Sequence, residues 1–144
     1  MTEVNSKQSN SFRLLAALLV LLICGCGSNE RLYPVQGNVI SSDGIAPTFG
    51  LVEFRSMADG RIASGNIQRD GTFTLTTQEP NDGAVAGEHE VVLVRFINAE
   101  NGPIHTHGHA VEIPTRYASY DTSGLTATVK PGPTNKITVK FDPK

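Results

Sequence analysis

The sequence lacks tryptophan, is poor in aromatic residues and has no cysteine after position 26. Aromatic residues make up 6% of the 144 residues, so the core has to depend on Val, Ile, Leu and a few Phe side chains. The two cysteines, Cys24 and Cys26, lie close together near the N-terminus. The chain that follows them can form no internal disulfide, and its stability has to come from packing.

The chain also lacks an excess of charge of either sign. Its 12 Lys and Arg residues and 14 Asp and Glu residues give a formal net charge of -2 at pH 7. A surface that binds nucleic acid normally shows a basic excess, because it neutralises phosphates. We therefore expect no nucleic acid partner. The length favours one domain with a single hydrophobic core.

Long apolar runs are missing except at the N-terminus. Residues 14–23 read LLAALLVLLI and follow a polar segment that contains Lys7 and Arg13. This run is about half of the roughly 20 residues that a membrane-spanning helix needs. A basic start, a short apolar run and a small-residue exit are typical of a secretory signal peptide. We predict a signal peptide over residues 1–25, with an uncleaved signal anchor as the alternative.

The exit of this run resembles the lipobox of bacterial lipoproteins. Residues 23–26 read Ile-Cys-Gly-Cys, an aliphatic residue and two small ones before a cysteine. The resemblance implies diacylglyceryl transfer to the thiol of Cys26, cleavage after Gly25 and acylation of the new amino terminus. Several acyl chains on one residue give stable anchoring. Residues 26–32 would then be a short tether, and the protein would be held on the periplasmic side of the outer or inner membrane.

The rest of the chain, residues 33–144, shows β-rich runs separated by Gly, Pro, Asn and Asp, without sustained helical periodicity. Seven runs are predicted strands: 33–40, 50–57, 61–67, 72–76, 88–97, 125–130 and 136–141. The run 88–97 is apolar on both faces, which predicts a central strand or one whose second face is covered. The sequence therefore predicts an all-β fold, a seven-stranded Greek-key-like β-sandwich.

Two segments fall outside this strand pattern. Residues 78–87 are polar and predict a loop of two consecutive turns. Residues 98–124 are about twice as long as the roughly 12–15 residues beyond which unstructured loops become uncommon. Such a loop is functional, locally ordered by Tyr117 and Tyr120, or partly mobile.

Four stretches in order carry a family resemblance. They are YPVQGNV at 33–39, DGTFTL at 70–75, GAVAGEHEVV at 83–92, and IPTRY at 113–117 followed by TSGL at 122–125. Together they resemble the transthyretin-like, carboxypeptidase regulatory-like lipoproteins of bacteria, which often have Tyr where this chain has His89. The resemblance implies a non-catalytic structural or protein-interaction module at the cell envelope, with an unknown protein partner. It implies no cofactor.

Three histidines interrupt this resemblance. His105, His107 and His109 are two residues apart, so in an extended segment their side chains project to the same side. Imidazole suits zinc, copper or nickel, and Glu100 or Glu112 could add an oxygen ligand. The alternative function is therefore a periplasmic metal-binding protein, with zinc or copper bound by this insert. Otherwise the histidines are polar residues of a solvated loop.

Sequence signatures of enzymes are missing. There is no G-x-S-x-G nucleophile motif and no glycine-rich phosphate loop. The His, Arg and Tyr-rich signatures of the transthyretin-like hydrolases are not found either. An intradiol dioxygenase needs a Tyr and His ligand set, which His105, His107, Tyr117 and Tyr120 match only in composition. We expect a protein that is not an enzyme.

Overall fold

Strands form where apolar and polar residues alternate in the sequence. The computed structural model describes residues 31–47, 49–95 and 111–144. Their strands are β1 (Leu32–Tyr33), β2 (Val35–Ser41), β3 (Gly50–Ser56), β4 (Ile62–Ile67), β5 (Thr72–Thr74), β6 (Ala84–Val85), β7 (Gly87–Val94), β8 (Leu125–Val129) and β9 (Asn135–Phe141). A 3₁₀ turn (Thr115–Ala118) and the helix α1 (Tyr120–Ser123) precede β8. The described part is mostly β-structure, as predicted.

Two larger sheets and one small sheet contain these strands. The four-stranded sheet has the order β4-β3-β7-β8 and is antiparallel throughout. The three-stranded sheet has the order β5-β2-β9, in which β2 pairs antiparallel with β5 and parallel with β9. The two-residue strands β1 and β6 pair with each other. The first long strand of the described residues, β2, is thus paired with the last strand, β9.

One hydrophobic cluster contains buried side chains from both larger sheets. Val35, Val39 and Phe73 belong to the three-stranded sheet, and Phe54 and Leu93 to the four-stranded sheet; each is at most 3% exposed. The rings of Phe54 and Phe73 lie 6.0 Å apart, centre to centre, and are tilted by 53°. Each large apolar side chain buried in this way stabilises the fold by roughly 1.5–3 kcal/mol. The core lies where the two sheets meet.

The two larger sheets are joined at β4 and β5. Ser64 of β4 and Thr76, just after β5, exchange backbone hydrogen bonds of 2.9 and 2.8 Å. A Cβ atom at Gly65 would collide with the carbonyl oxygen of Thr74, so glycine is required for the two strands to approach each other this closely. In the described residues, β8 and β9 each pair on one side only.

The segment before β8 borders the end of β7. The β7–β8 pairing extends along β7 only to Val91, and the hydroxyl of Ser123 donates to the Val91 carbonyl at 2.5 Å. Tyr117 turns into the core, where its ring meets Phe141 edge-on at 5.9 Å. Its hydroxyl accepts a 2.9 Å hydrogen bond from the backbone N–H of Asp142. Tyr120, by contrast, contacts β3, where its hydroxyl bonds to Glu53. The two tyrosines of this segment therefore have different surroundings.

The described residues form nine strands where seven were predicted, and each predicted run overlaps at least one of them. The predicted strand 33–40 is divided at Pro34, which has no N–H to donate, into β1 and β2. The strand predicted over 88–97 is confirmed as a central one, because β7 lies between β3 and β8 and Val92 on its second face is 2% exposed. Residues 96 and 97 lie outside the described residues. The seven-stranded, Greek-key-like β-sandwich stays a prediction.

The predicted loop of two turns over residues 78–87 was wrong in part. Ala84 and Val85 form β6 because they pair with Leu32 and Tyr33 near the N-terminus, a distant contact that local composition does not reveal. The described residues contain no helix with the length and apolar composition that crossing a bilayer requires.

Candidate functional site

Most of the predicted site residues lie outside the part of the chain that the structure describes. These are Cys26, the histidines His105, His107 and His109, and Glu100. Lipidation and metal binding at these positions remain predictions.

Of the residues considered as metal ligands, Glu112 is described. Its carboxylate accepts a 2.7 Å hydrogen bond from Arg95, and its side chain is 83% exposed. Within residues 31–47, 49–95 and 111–144, no three His, Cys, Asp or Glu side chains are grouped so that they could hold a metal ion.

His89, near the start of the predicted strand 88–97, lies in the core. It is 1% exposed, and its ring packs 5.9 Å from that of Phe54. Its Nδ1 lies 3.1 Å from the carbonyl oxygen of Gly87, which can only accept, so Nδ1 carries the proton. Burial lowers the pKa of His89, and the charges of Asp59 and Glu88 oppose this only in part. The geometry indicates a neutral packing residue.

A polar groove of about 1070 Å³ crosses the three-stranded sheet and β4. Amide, hydroxyl and ammonium groups dominate its lining, and we call it the polar groove; it is lined by Gln36, Asn38, Asn66, Thr74, Lys136 and Thr138, among others. Its lining contains neither His nor Cys among the residues that the structure describes. The polar groove is therefore a candidate binding surface of this part of the chain.

Strand alternation places these side chains on the outer surface. On β2, Gln36 and Asn38 alternate with Val35 and Val39, which point into the core and are completely buried. The strand pairing then sets the polar residues in two rows. One row is Thr74–Gln36–Lys136 and the other is Thr72–Asn38–Thr138. Groove residues distant in sequence therefore become neighbours.

The two rows differ in how many of their polar groups are already bonded. In the second row, the hydroxyl of Thr138 donates to Asn38 at 2.8 Å, and that of Thr72 donates to Asp70 at 2.7 Å. In the first row, the side chains of Gln36 and Lys136 have no hydrogen-bond partner among the described residues. The first row is therefore available to a ligand, and the second row is fixed in position.

The loop of residues 77–82, which follows β5 at one end of the polar groove, is ordered by Asp82. The carboxylate accepts backbone hydrogen bonds from Thr77, Gln78 and Glu79 at 2.7, 2.9 and 2.7 Å. Burial raises the pKa of Asp82, but these three N–H donors outweigh it, so the pKa lies below its ordinary value. The neighbouring Asn81, which lines the groove, has a left-handed φ of 65°. The carboxylate holds this rim in one conformation.

A second polar cluster covers the outer face of the four-stranded sheet. The Arg55 guanidinium donates to Glu90 at 3.0 and 2.7 Å and lies 3.8 Å above the ring of Tyr120. The Tyr120 hydroxyl donates to Glu53 at 3.3 Å. Burial, then the nearby charge and hydrogen bond of Glu53, raises the pKa of Tyr120 to about 12. These groups are bonded to one another, so the cluster attaches α1 to the sheet.

The polar groove was missed in the sequence, although a signal for it was present. Except for Lys136, the outward positions of β5 and of the first halves of β2 and β9 carry amides and hydroxyls, where a solvated sheet often carries many charges. Such a surface can hold an uncharged polar segment through hydrogen bonds from several directions. The charged residues of its described lining are Lys136 and Asp70, so the surface has few groups that could recognise a charged ligand.

Comparisons of the chain with protein-family models, with curated proteins and with solved structures give no significant match. The resemblance to transthyretin-like, carboxypeptidase regulatory-like lipoproteins therefore stays a prediction.

Proposed function

We propose that this protein is a lipid-anchored envelope protein whose β-sandwich binds a protein partner through the polar groove. The domain is of the transthyretin-like, carboxypeptidase regulatory-like kind and is not catalytic. Cys26 carries the lipid and holds the domain on the periplasmic side of the membrane.

The anchor is supported by the N-terminal sequence. The apolar run of residues 14–23 is too short to span a bilayer, and it ends at a cysteine preceded by glycine. No other cysteine follows Cys26, so this thiol is the one available for modification in the exported chain. Acylation of both the thiol and the new amino group of Cys26 would give stable membrane attachment.

The single observation that carries the binding role is the row Thr74–Gln36–Lys136 in the polar groove. The side chains of Gln36 and Lys136 point outward and have no hydrogen-bond partner among the described residues. Strand β9 also pairs on one side only in this part of the chain, so its outer edge can add a partner strand. An extended peptide lying along β9 would place side chains into the adjacent groove.

The anchor is tested by the mass and location of the mature protein. We expect mass spectrometry of the membrane fraction to find an acylated N-terminal Cys26. The variant Cys26→Ser should lose the acyl mass and keep its signal peptide. Cys24→Ser is the matched control and should be acylated like the wild type. Acylation of the Cys26→Ser variant would contradict the proposal.

The binding role is tested by photo-crosslinking in intact cells. A photoreactive amino acid replaces Asn66, which is exposed in the groove outside the row Thr74–Gln36–Lys136, or, as control, Thr126 on the exposed side of β8. We expect one discrete adduct from position 66 and none from position 126. The adduct should disappear when Gln36 is also changed to Ala. Equal adducts from both positions, or no adduct from the groove position, would contradict a binding role for the groove.

A further inference from the structure

The tip of the hairpin between β3 and β4 carries an exposed apolar side chain. Met57 is 62% exposed, the largest fraction among the large apolar side chains that are exposed in the described residues. Ile62, at the start of β4, is 46% exposed. The charges of the tip are paired, because the Asp59 carboxylate accepts from Arg61. The tip is thus an apolar projection without an unpaired carboxylate of its own.

This tip lies at the end of the domain where the chain enters. Leu32 pairs with Val85, and the backbone N–H of Met57 donates to the carbonyl of Glu88 at 3.0 Å. The backbone N–H of Leu75 donates to the carbonyl of Val35, the first residue of β2, and the next residue, Thr76, pairs antiparallel with Ser64. Ile62 and the hairpin tip lie beyond Ser64 in the direction away from the rest of β2, so they are at the end of the domain where the chain enters.

The lipid on Cys26 brings the same end to the membrane, an argument that depends on the proposed function. Five residue steps separate Cys26 from Arg31, and they span at most about 18 Å. Arg31 is exposed, and among the described residues its guanidinium contacts the ring of Tyr33, 5.9 Å from the centroid. A cation at this place can meet the phosphates of the lipid headgroups.

The opposite end of the domain is too distant for such contact. Strand β2 runs seven residues away from the entry point, which is about 23 Å, to the turn that contains Asp43. The exposed apolar residues of that end have smaller exposed fractions, 36% for Ile45 and 39% for Phe49. The ring of Phe49 is also covered by the guanidinium of Arg69, 5.6 Å from its centroid.

We propose that the β3–β4 hairpin docks onto the lipid surface, with Met57 in the headgroup region and Arg31 against lipid phosphate. The lipid anchor and the hairpin then form two points of attachment, which fixes the domain end-on to the membrane. The polar groove runs along β2 and β9, so its long direction points away from the bilayer.

The test uses a fluorophore on the full-length acylated protein. Cys26 is blocked by its lipid and no other cysteine follows it, so Met57→Cys provides one reactive thiol. Asp43→Cys, in the turn at the opposite end, is the matched control. Both proteins are labelled and reconstituted into vesicles of phosphatidylethanolamine and phosphatidylglycerol, with and without a lipid that carries a nitroxide on its headgroup.

We expect the nitroxide to quench the label at position 57 at least twofold more than the label at position 43. Arg31→Gln should reduce this difference in vesicles that contain phosphatidylglycerol. Equal quenching at both positions on vesicle-bound protein would overturn hairpin docking and leave the anchor intact. Protein that does not float with the vesicles would overturn the anchor itself, and the docking with it.

Discussion

The aromatic ring of Phe73 occupies the space that a side chain at Gly37 would need. The two residues are opposite each other across β2 and β5. A Cβ atom at Gly37 would lie 2.5 Å from Cζ of Phe73 and would also collide with the backbone carbonyl of Ile137. Glycine at this position lets the ring close the core beneath the polar groove.

Replacing Gly37 by Ala should destabilise the domain. Neither the backbone of Ile137 nor the packed ring of Phe73 can move without disturbing the β2–β9 pairing, and overpacking of this kind costs about 1–3 kcal/mol. Denaturant unfolding measures the loss. Gly132→Ala is the control, because a Cβ atom there meets no atom within 4 Å, and it should change stability by less than about 0.5 kcal/mol. Equal effects would contradict the role of Gly37.

Replacing Asp82 by Asn should loosen the rim of the groove. The amide is neutral and has one oxygen where the carboxylate has two, so all three backbone donors lose a charged acceptor and at least one loses its acceptor altogether, at a cost of about 1–2 kcal/mol near pH 7. Because the folded-state pKa of Asp82 is lowered, this stabilisation is present above the unfolded-state pKa of about 4 and disappears as the pH falls below it.

Unfolding of wild type and Asp82→Asn at pH 7 and pH 3 measures this effect. The two proteins should differ at the higher pH and converge at the lower one. Asp43→Asn in the exposed turn provides a control and should match the wild type at both. A difference between wild type and Asp82→Asn that does not depend on pH would contradict an ionic contribution.

The contact between Arg55 and Tyr120 should contribute more to stability than the Tyr120 hydroxyl does. Tyr120→Phe keeps a ring beneath the guanidinium and loses only the 3.3 Å hydrogen bond to Glu53. Tyr120→Leu also loses the ring, and with it a cation–π contact of about 0.5–1 kcal/mol. We expect the Leu variant to be less stable than the Phe variant by about that amount in denaturant unfolding. Equal stability of the two variants would assign the attachment of α1 to apolar packing.

The ionisation of Tyr120 predicts a loss of stability in alkali. Its pKa is raised from 10.0 to about 12 in the folded state, so the stabilisation is complete below pH 10 and decreases as the pH rises towards 12. Tyr120→Phe should lack this component. Unfolding midpoints at pH 9 and pH 11 for both proteins measure this loss. If the midpoint changes equally in both proteins, the pKa of Tyr120 is the same in the folded and unfolded states.

Acid should destabilise the domain through His89. Burial lowers its pKa in the folded state below the ordinary 6.5, so the folded protein is stabilised above that pH and loses the stabilisation as the pH falls through the lowered pKa. His89→Gln cannot acquire this charge and should show a weaker decline between pH 7 and pH 5. The control replaces His105, His107 and His109 by Ala and should keep the decline of the wild type.

Metal binding by the histidine insert is tested by thermal unfolding of the mature protein, metal-free and then with one equivalent of zinc, copper or nickel. Under the proposed function we expect no selective rise in Tm. A rise with one metal that disappears in the triple Ala variant of His105, His107 and His109 would support the metal-binding alternative. It would also reopen the question of catalysis.

The strands and their inward faces were predictable from the sequence, because alternation is a local property. Val52 and Phe54 on β3 and Phe73 with Leu75 near β5 are buried as their spacing indicated. The partners of the strands were not predictable in this way. The pairing of β1 with β6 and the parallel pairing of β2 with β9 join segments with no shared local signal.

The candidate site was less predictable than the fold. The residues chosen from the sequence were those with distinctive chemistry, such as the histidines, whereas the polar groove consists of ordinary residues such as Gln36 and Thr74. They form a surface only once β2, β5 and β9 are in register. The ordering of residues 77–82 by one carboxylate similarly depends on the exact backbone path around Asp82.

The parallel pairing of β2 with β9 also determines when this protein can fold. Val35 pairs with Asn135, and Asn38 accepts from Thr138 across 100 residues of sequence. Closing so long a loop is entropically costly, and contacts of this kind slow folding. A chain that emerges N-terminus first has β2 without this partner until residues 135–141 have been released. The centre of the three-stranded sheet therefore forms late, and under the proposed export it would form only after these residues have crossed the membrane.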